Sequence, residues 1–128
     1  LVREDFKRQD PTGNVVVEQI DGALELDGDI YLVEMKWLST PVGVPELGSH
    51  MMRLFAREGV RGIFISNSDY TAPAIAECIT HSNNKVMALC TLREIVMMLL
   101  DERDLITLLR SKVRAAILDK KPFVEILG

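Results

Sequence analysis

Ile20-Asp21-Gly22-Ala23-Leu24-Glu25-Leu26-Asp27-Gly28-Asp29-Ile30-Tyr31-Leu32-Val33-Glu34-Met35-Lys36-Trp37 is the stretch of this 128-residue chain on which the fold turns. Asp27-Gly28 stands between two strand-like runs, and glycine accepts the positive φ that a two-residue hairpin turn requires. In the second run the period of two puts Glu34 and Lys36 on one face. Tyr31, Val33, Met35 and Trp37 fall on the other face, where they are expected to pack into the core. A carboxylate and an ammonium on one face of an otherwise buried strand are costly unless paired or metal-bound. One strand earlier Asp21 precedes Gly22, whose missing side chain lets a ligand or backbone approach closely. The hairpin is expected to bring Asp21 beside Glu34.

Working outward, the run 14–17 reads as strand after the turn residues Asp10-Pro11-Thr12-Gly13. Beyond the hairpin, the loop 39–44 holds Pro41 and Gly43. Leu47, Met51, Leu54, Phe55 and Glu58 then fall at helical spacing, with Pro45 suited to the first turn and Gly59 to the end. Residues 62–66 form a short apolar strand of the kind buried on both faces. Thr71 caps a helix through Ala76 to Ile79 that tolerates Pro73 in its first turn. Residues 86–89 are a further buried strand. Thr91 and Glu94 match a capping box for a helix to about Asp101, and another helix spans Asp104 to about Leu118. The order is strand, strand, strand, helix, strand, helix, strand, helix, helix. A hairpin feeding alternating units of this kind predicts the α/β class, with a mixed sheet flanked by helices.

Composition narrows the function. Hydrophobic residues make up 48% and charged residues 27%, a globular balance that excludes fibrous and disordered classes. No apolar run approaches the roughly 18 residues of a membrane span. Cys78 and Cys90 are too few for a disulfide scaffold and read as small buried hydrophobes, which fits a reducing, cytoplasmic setting. The net charge of −4 is unusual for a nucleic-acid binder, but it is unevenly spread. Residues 1–34 carry nine acids against three bases, whereas residues 35–128 carry ten against twelve. The negative end suits a metal ion.

Two carboxylates thirteen positions apart, Asp21 and Glu34, suit Mg²⁺, which prefers oxygen ligands and keeps waters that a phosphate can replace. A nearby Lys36 would orient or activate water and offset charge developing on phosphate. The plainer reading is a turn aspartate and a Glu/Lys pair on a solvated strand. His50, Arg53 and Arg57 share a helix face that either meets a DNA backbone or is ordinary solvated surface. Gln19 falls two residues before Asp21 as an accessory candidate. Ser66, Asn67 and Ser68 end a buried strand, where ligand contacts and turn roles both gather. His81 lies in a polar loop without an evident partner, and no zinc motif, phosphate loop or nucleophile elbow is present. The last helix alternates apolar positions with Arg110, Lys112 and Arg114 and would pack on the core or on a second copy.

Together, Ile20-Asp21-Gly22 and Val33-Glu34-Met35-Lys36-Trp37 resemble the PD-(D/E)xK nuclease signature, in particular that of Mrr-like restriction endonuclease domains. Pro41-Val42-Gly43, Arg61-Gly62-Ile63-Phe64-Ile65-Ser66 with Ser68, and Tyr70-Thr71-Ala72-Pro73-Ala74 extend the likeness, which covers roughly Val15 to Leu99. The resemblance implies a restriction-endonuclease-like three-layer fold and a metal-dependent DNA endonuclease using Mg²⁺ or Mn²⁺. Asp21 and Glu34 would bind metal with the Met35 backbone carbonyl, and Lys36 would position or deprotonate the attacking water. Such families often take another acid from a helix before the first strand. That helix is expected before residue 1, with Glu18 and Glu4 the candidates inside the chain. Residue 20 is Ile where the family often has Pro, a change that leaves the metal ligand untouched. The expected organisation is one nuclease-like domain over 1–128, with a core of about 14–101 and a helical extension of about 102–128. DNA is the expected partner, with a homodimer and a separate DNA-recognition domain as further expectations. The competing expectation is a catalytically inactive nuclease-fold module for DNA binding or oligomerisation.

Overall fold

The hairpin turn forms where its sequence requires it, with Asp27 at φ 54° and Gly28 at φ 87°. These are the paired left-handed positions of a type I′ turn. The turn joins β2 (Val16–Leu26) to β3 (Asp29–Lys36) in antiparallel register, with Gly22 opposite Val33 and Leu26 opposite Asp29. In this computed structural model the backbone of residues 2–9 and 16–21 and the whole of residues 22–101 and 104–127 are described.

β1 (Val2–Gln9) pairs antiparallel with β2, while β4 (Val60–Ser66) and β5 (Met87–Thr91) continue the sheet in parallel from β3. The strand order is β1-β2-β3-β4-β5. The helices are α1 (Val44–Phe55), α2 (Ala72–Thr80), α3 (Leu92–Leu100) and α4 (Leu105–Leu118). The succession of strands and helices is the expected one, but its first members differ. The runs 14–17 and 20–26 were expected as two strands; residues 16–26 are one, β2. The expected turn at 10–13, and residues 14 and 15, lie outside the described residues. β1 was not expected at all, because Val2-Arg3-Glu4-Asp5-Phe6-Lys7-Arg8-Gln9 lacks apolar alternation. An outermost strand tolerates charge that a central one does not.

The crossovers β3-α1-β4 and β4-α2-β5 step across the sheet in one direction. Right-handed crossovers therefore put both helices on the same face. There Leu47, Met51 and Leu54 of α1 and Ala74 and Cys78 of α2 pack on Leu32, Phe64, Met87 and Leu89. At Gly62 a Cβ would meet Leu54 Cδ1 at 2.7 Å, so glycine lets α1 settle onto the sheet. On the opposite face Leu109 and Val113 of α4 cover Leu26, Tyr31, Ile63, Ala88 and Cys90. Helix, sheet and helix form three layers. Cys78 and Cys90 are buried, and burial pushes both thiols up to about 12, as suits inert core residues.

The expectation for the apolar face of β3 holds only in part. Tyr31 is buried and Val33 half-buried, but Met35 is 47% and Trp37 66% exposed. The alternation is right; α4 covers the first half of the strand, and its cover does not reach the end.

The capping residues do what their positions predict. Thr71 Oγ1 accepts from Ala74 N, and Thr91 and Glu94 form the reciprocal box at α3. Glu94 does more than cap. It is fully buried, and both its oxygens accept from Lys112 Nζ of α4, at 3.0 and 2.9 Å. Lys112 also donates to the Val124 carbonyl, and Ile126 N donates to Glu94 Oε2, so the pair fastens the C-terminal segment. The same segment lays the Pro122 carbonyl against Leu89 N of β5 at 2.9 Å.

Candidate active site

α1 folds back over the second half of β3, the strand that holds the candidates Glu34 and Lys36. Leu32 and Glu34 face α1, and Glu34 is only 7% exposed. A buried carboxylate must find partners, and α1 supplies two. His50 Nδ1 lies 3.2 Å and Arg53 Nη1 3.1 Å from Glu34 Oε2. Lys36 Nζ stands 3.8 Å from Oε1, with 42% of its side chain exposed. That distance is a charge contact, too long for a hydrogen bond. Oε1 accepts no hydrogen bond from the described residues.

Burial pushes the Glu34 carboxyl up, but the His50 hydrogen bond and the charges of His50, Arg53 and Lys36 outweigh it. The net effect is a carboxyl below its ordinary value, which favours the ionised form needed to hold a cation. Arg53→Gln is therefore expected to raise the Glu34 carboxyl pKa, as read by NMR titration of the side-chain carboxyl carbon. A lowered carboxyl stabilises the fold above its unfolded value and loses that contribution as pH falls through the folded one. The variant should accordingly lose less stability than the wild type on acidification below about pH 4.5.

His50 corrects an expectation. It was a candidate for DNA contact on a solvated helix face, yet its ring is fully buried and has no surface to offer. Nε2 sits 3.0 Å from the Leu32 carbonyl, which can only accept, so Nε2 carries a proton. Nδ1 is left facing Glu34, and it donates there only when the ring holds both protons; otherwise it is a buried atom without a hydrogen-bond partner. Arg53 is half-buried, and Arg57 donates to the Arg53 carbonyl at 3.2 Å. Sequence reasoning missed that His50 and Arg53 serve Glu34. The signal was available: a charged residue inside β3 needs partners, and these two lie on the helix that follows it. His81 also has partners, Glu77 Oε1 at 3.1 Å and the Phe55 ring edge-on.

The other candidates fall around β3. Asp21, Gln19 and Glu18 are in β2, and their side chains lie outside the described residues. The ladder between β2 and β3 begins at Gly22 opposite Val33, the residues that adjoin Asp21 and Glu34 in sequence. Met35 pairs with Ile65 in the parallel ladder. Ser66 and Ser68 share a hydroxyl hydrogen bond of 2.9 Å, and Asn67 holds Leu38 through both main-chain groups. A hard cation is suited by oxygens such as Glu34 Oε1, the Met35 carbonyl and an aspartate. Among the described side chains, of which Asp21 is not one, no group of three or more His, Cys, Asp or Glu residues could hold a metal ion.

The profile of the Mrr_cat family, described as restriction endonuclease, matches residues 1–109. The chain belongs to that family, and its fold is restriction-endonuclease-like. No curated protein matches the sequence. A solved structure described as a protein of unknown function, AF1548, is similar at a TM-score of 0.52 and 20% identity. The likeness covers 70% of this chain and 48% of that one, so the chain spans about half the length of that neighbour. At this identity the similarity concerns the fold alone. Among the described residues no helix is long and apolar enough to cross a membrane.

Proposed function

We propose that the protein is a DNA endonuclease that hydrolyses phosphodiester bonds with Mg²⁺ or Mn²⁺. The observation that carries this reading is the buried Glu34, with Lys36 at 3.8 Å on the same face of β3, in a chain of the restriction endonuclease family. Asp21, Glu34 and the Met35 carbonyl hold the cation, which when bound offsets charge on the phosphate. His50 and Arg53 fix Glu34 by one oxygen and leave the other turned toward Lys36. Lys36, exposed enough to meet substrate, orients the attacking water or takes its proton and offsets charge developing on the phosphate. Glu18 and Gln19 are accessory candidates, and Arg53 and Arg57 remain candidates for the DNA backbone. Substrate recognition by a separate domain, a homodimer that cuts both strands, a cytoplasmic setting and a catalytic core near 14–101 belong to the same proposal.

A second reading, an inactive module that binds DNA or oligomerises, is favoured by one fact: Arg53 already pairs with the Glu34 carboxylate without a metal. One experiment separates the two. Purified protein is incubated with plasmid DNA and Mg²⁺ or Mn²⁺, beside a chelator control and Glu34→Ala. Cleavage that needs the cation and is lost in the variant supports the nuclease. Cleavage undiminished in Glu34→Ala, or none with either cation, overturns it.

A further inference from the structure

We propose that a second copy of this chain packs on the part of the sheet face that α4 leaves open, each copy seating its Trp37 indole in an apolar cavity of the other. The inference deepens the nuclease reading, on which its purpose rests, by giving the homodimer a contact surface.

The face spans strands and helices. α4 covers Tyr31 and Ile63, but on the same side Val33 and Ile65 are half-buried and Met35 is exposed. On α3, Ile95 and Leu99 are one turn apart and share a stripe. Leu99 is exposed, as are its neighbour Val96 and, at the start of α4, Leu105 and Ile106. With Met35 and Trp37 these side chains present on the order of 600–700 Å² of apolar surface. That exceeds the few hundred Å² ordinary on a monomer. It approaches the roughly 800 Å² that each partner gives to a stable interface.

The same face holds a knob and a hole. The knob is Trp37, two-thirds exposed, on a backbone that Asn67 pins by accepting from Leu38 N at 2.8 Å and donating to its carbonyl at 3.2 Å. The hole is a cavity of about 330 Å³ whose walls include Leu24, Val33, Ile65, Ile95, Ile106 and Leu109. Glu25 is the charged one among its described lining residues. Ile65 and Ile95 also line the smaller cavity beside Trp37, so they lie between knob and hole. A two-fold axis passing there would put each indole in the other copy's cavity, as an isologous contact requires. A ligand in the cavity would leave the indole in water, whereas a second copy covers both. The near absence of charge suits self-association, because a face of one sign would repel its own copy. Glu34 points to the opposite face, toward α1, so both candidate sites stay open to substrate.

Sedimentation velocity of the full chain over a concentration series should show a reversible dimer. Trp37→Ala and Ile106→Glu should each weaken it at least about 100-fold, since a two-fold contact loses each group twice. Both positions are exposed, so circular dichroism should show each variant folded. Trp37→Phe should keep most of the affinity, and Met52→Glu, at an exposed position of α1 across the sheet, should change nothing. The chain has a single tryptophan, so its emission reads the seat directly. It should move to the blue as the dimer forms and stay that of a hydrated indole in Ile106→Glu. A monomer at every concentration would overturn the proposal, as would a dimer that survives either substitution or one lost in Met52→Glu. So would a dimer with a hydrated indole, or blue emission from dilute monomer, which would mean that the chain itself covers the ring. The two readings fail separately. A dimer of this kind that does not cut DNA with Mg²⁺ or Mn²⁺ sinks the nuclease reading and leaves the interface standing. Cleavage by a chain that stays monomeric does the reverse.

Discussion

Lys36→Met should abolish DNA cleavage, with a loss on the order of 10²–10⁴-fold or more, while divalent-cation binding survives or tightens. Methionine keeps the length of the side chain and removes its charge. The ammonium stands 3.8 Å from Glu34 Oε1, close enough to compete with a cation for that oxygen and too far to be fixed by it. Removing it costs little packing, because 42% of the side chain is exposed. The folded structure should therefore be unchanged, and the change in rate should report on chemistry. Asp21→Asn is the counterpart and should weaken cation binding and cleavage together. Single-turnover cleavage and calorimetric titration with Mn²⁺ separate the two patterns. Near wild-type cleavage by Lys36→Met would leave the lysine only as the charge partner of Glu34.

The largest effect on stability is expected at Glu94. Glu94→Ala leaves the Lys112 ammonium, 1% exposed, without its carboxylate, and breaking a buried pair in this way costs about 3–5 kcal/mol. For a domain whose total stability is roughly 5–15 kcal/mol, that is a large share. The same carboxylate also accepts from Thr91 N and Ile126 N, so the substitution strips a helix cap and a tail contact as well. Glu94→Leu combined with Lys112→Met should recover part of the loss, since apolar residues of similar volume often replace a buried pair without great cost. The recovery should be incomplete because the two amides stay unsatisfied. Urea unfolding of the single and double variants measures both terms. A loss below about 1 kcal/mol in Glu94→Ala would mean that Lys112 finds water on relaxation.

The parts of this fold that were legible in the sequence are those with a local cause. Asp27-Gly28 dictates its turn without help from elsewhere, and Thr71 and Thr91 cap their helices through groups within three residues. The motif residues that resemble the restriction endonuclease signature, 20–22 and 33–36, fall in strands β2 and β3, with Trp37 just past the end of β3. What was not legible depends on distant partners. Lys112 looks like one more basic residue on α4 until Glu94, eighteen positions away, is brought against it. His50 and Arg53 look like surface until α1 is laid over Glu34. Trp37 alternates as a core residue should, and only the extent of the α4 cover leaves it exposed. β1 lacks the periodicity that marks a half-buried strand, so no local rule could find it.

The Pro122 carbonyl on Leu89 N has a consequence for how the molecule behaves in a crowd. β5 closes one side of the sheet, and a bare row of main-chain amides there would invite a neighbouring chain to dock and propagate a shared ribbon. Here the amide of Leu89 is taken by the C-terminal tail, and that of Thr91 by Glu94 Oε1. The tail is thus a guard against self-templated polymerisation. Lys112 and Glu94 are its latch, since they hold Val124 and Ile126 in place. A chain that lost this latch would still carry its candidate catalytic strand, but it would expose a sticky margin to every other copy in solution.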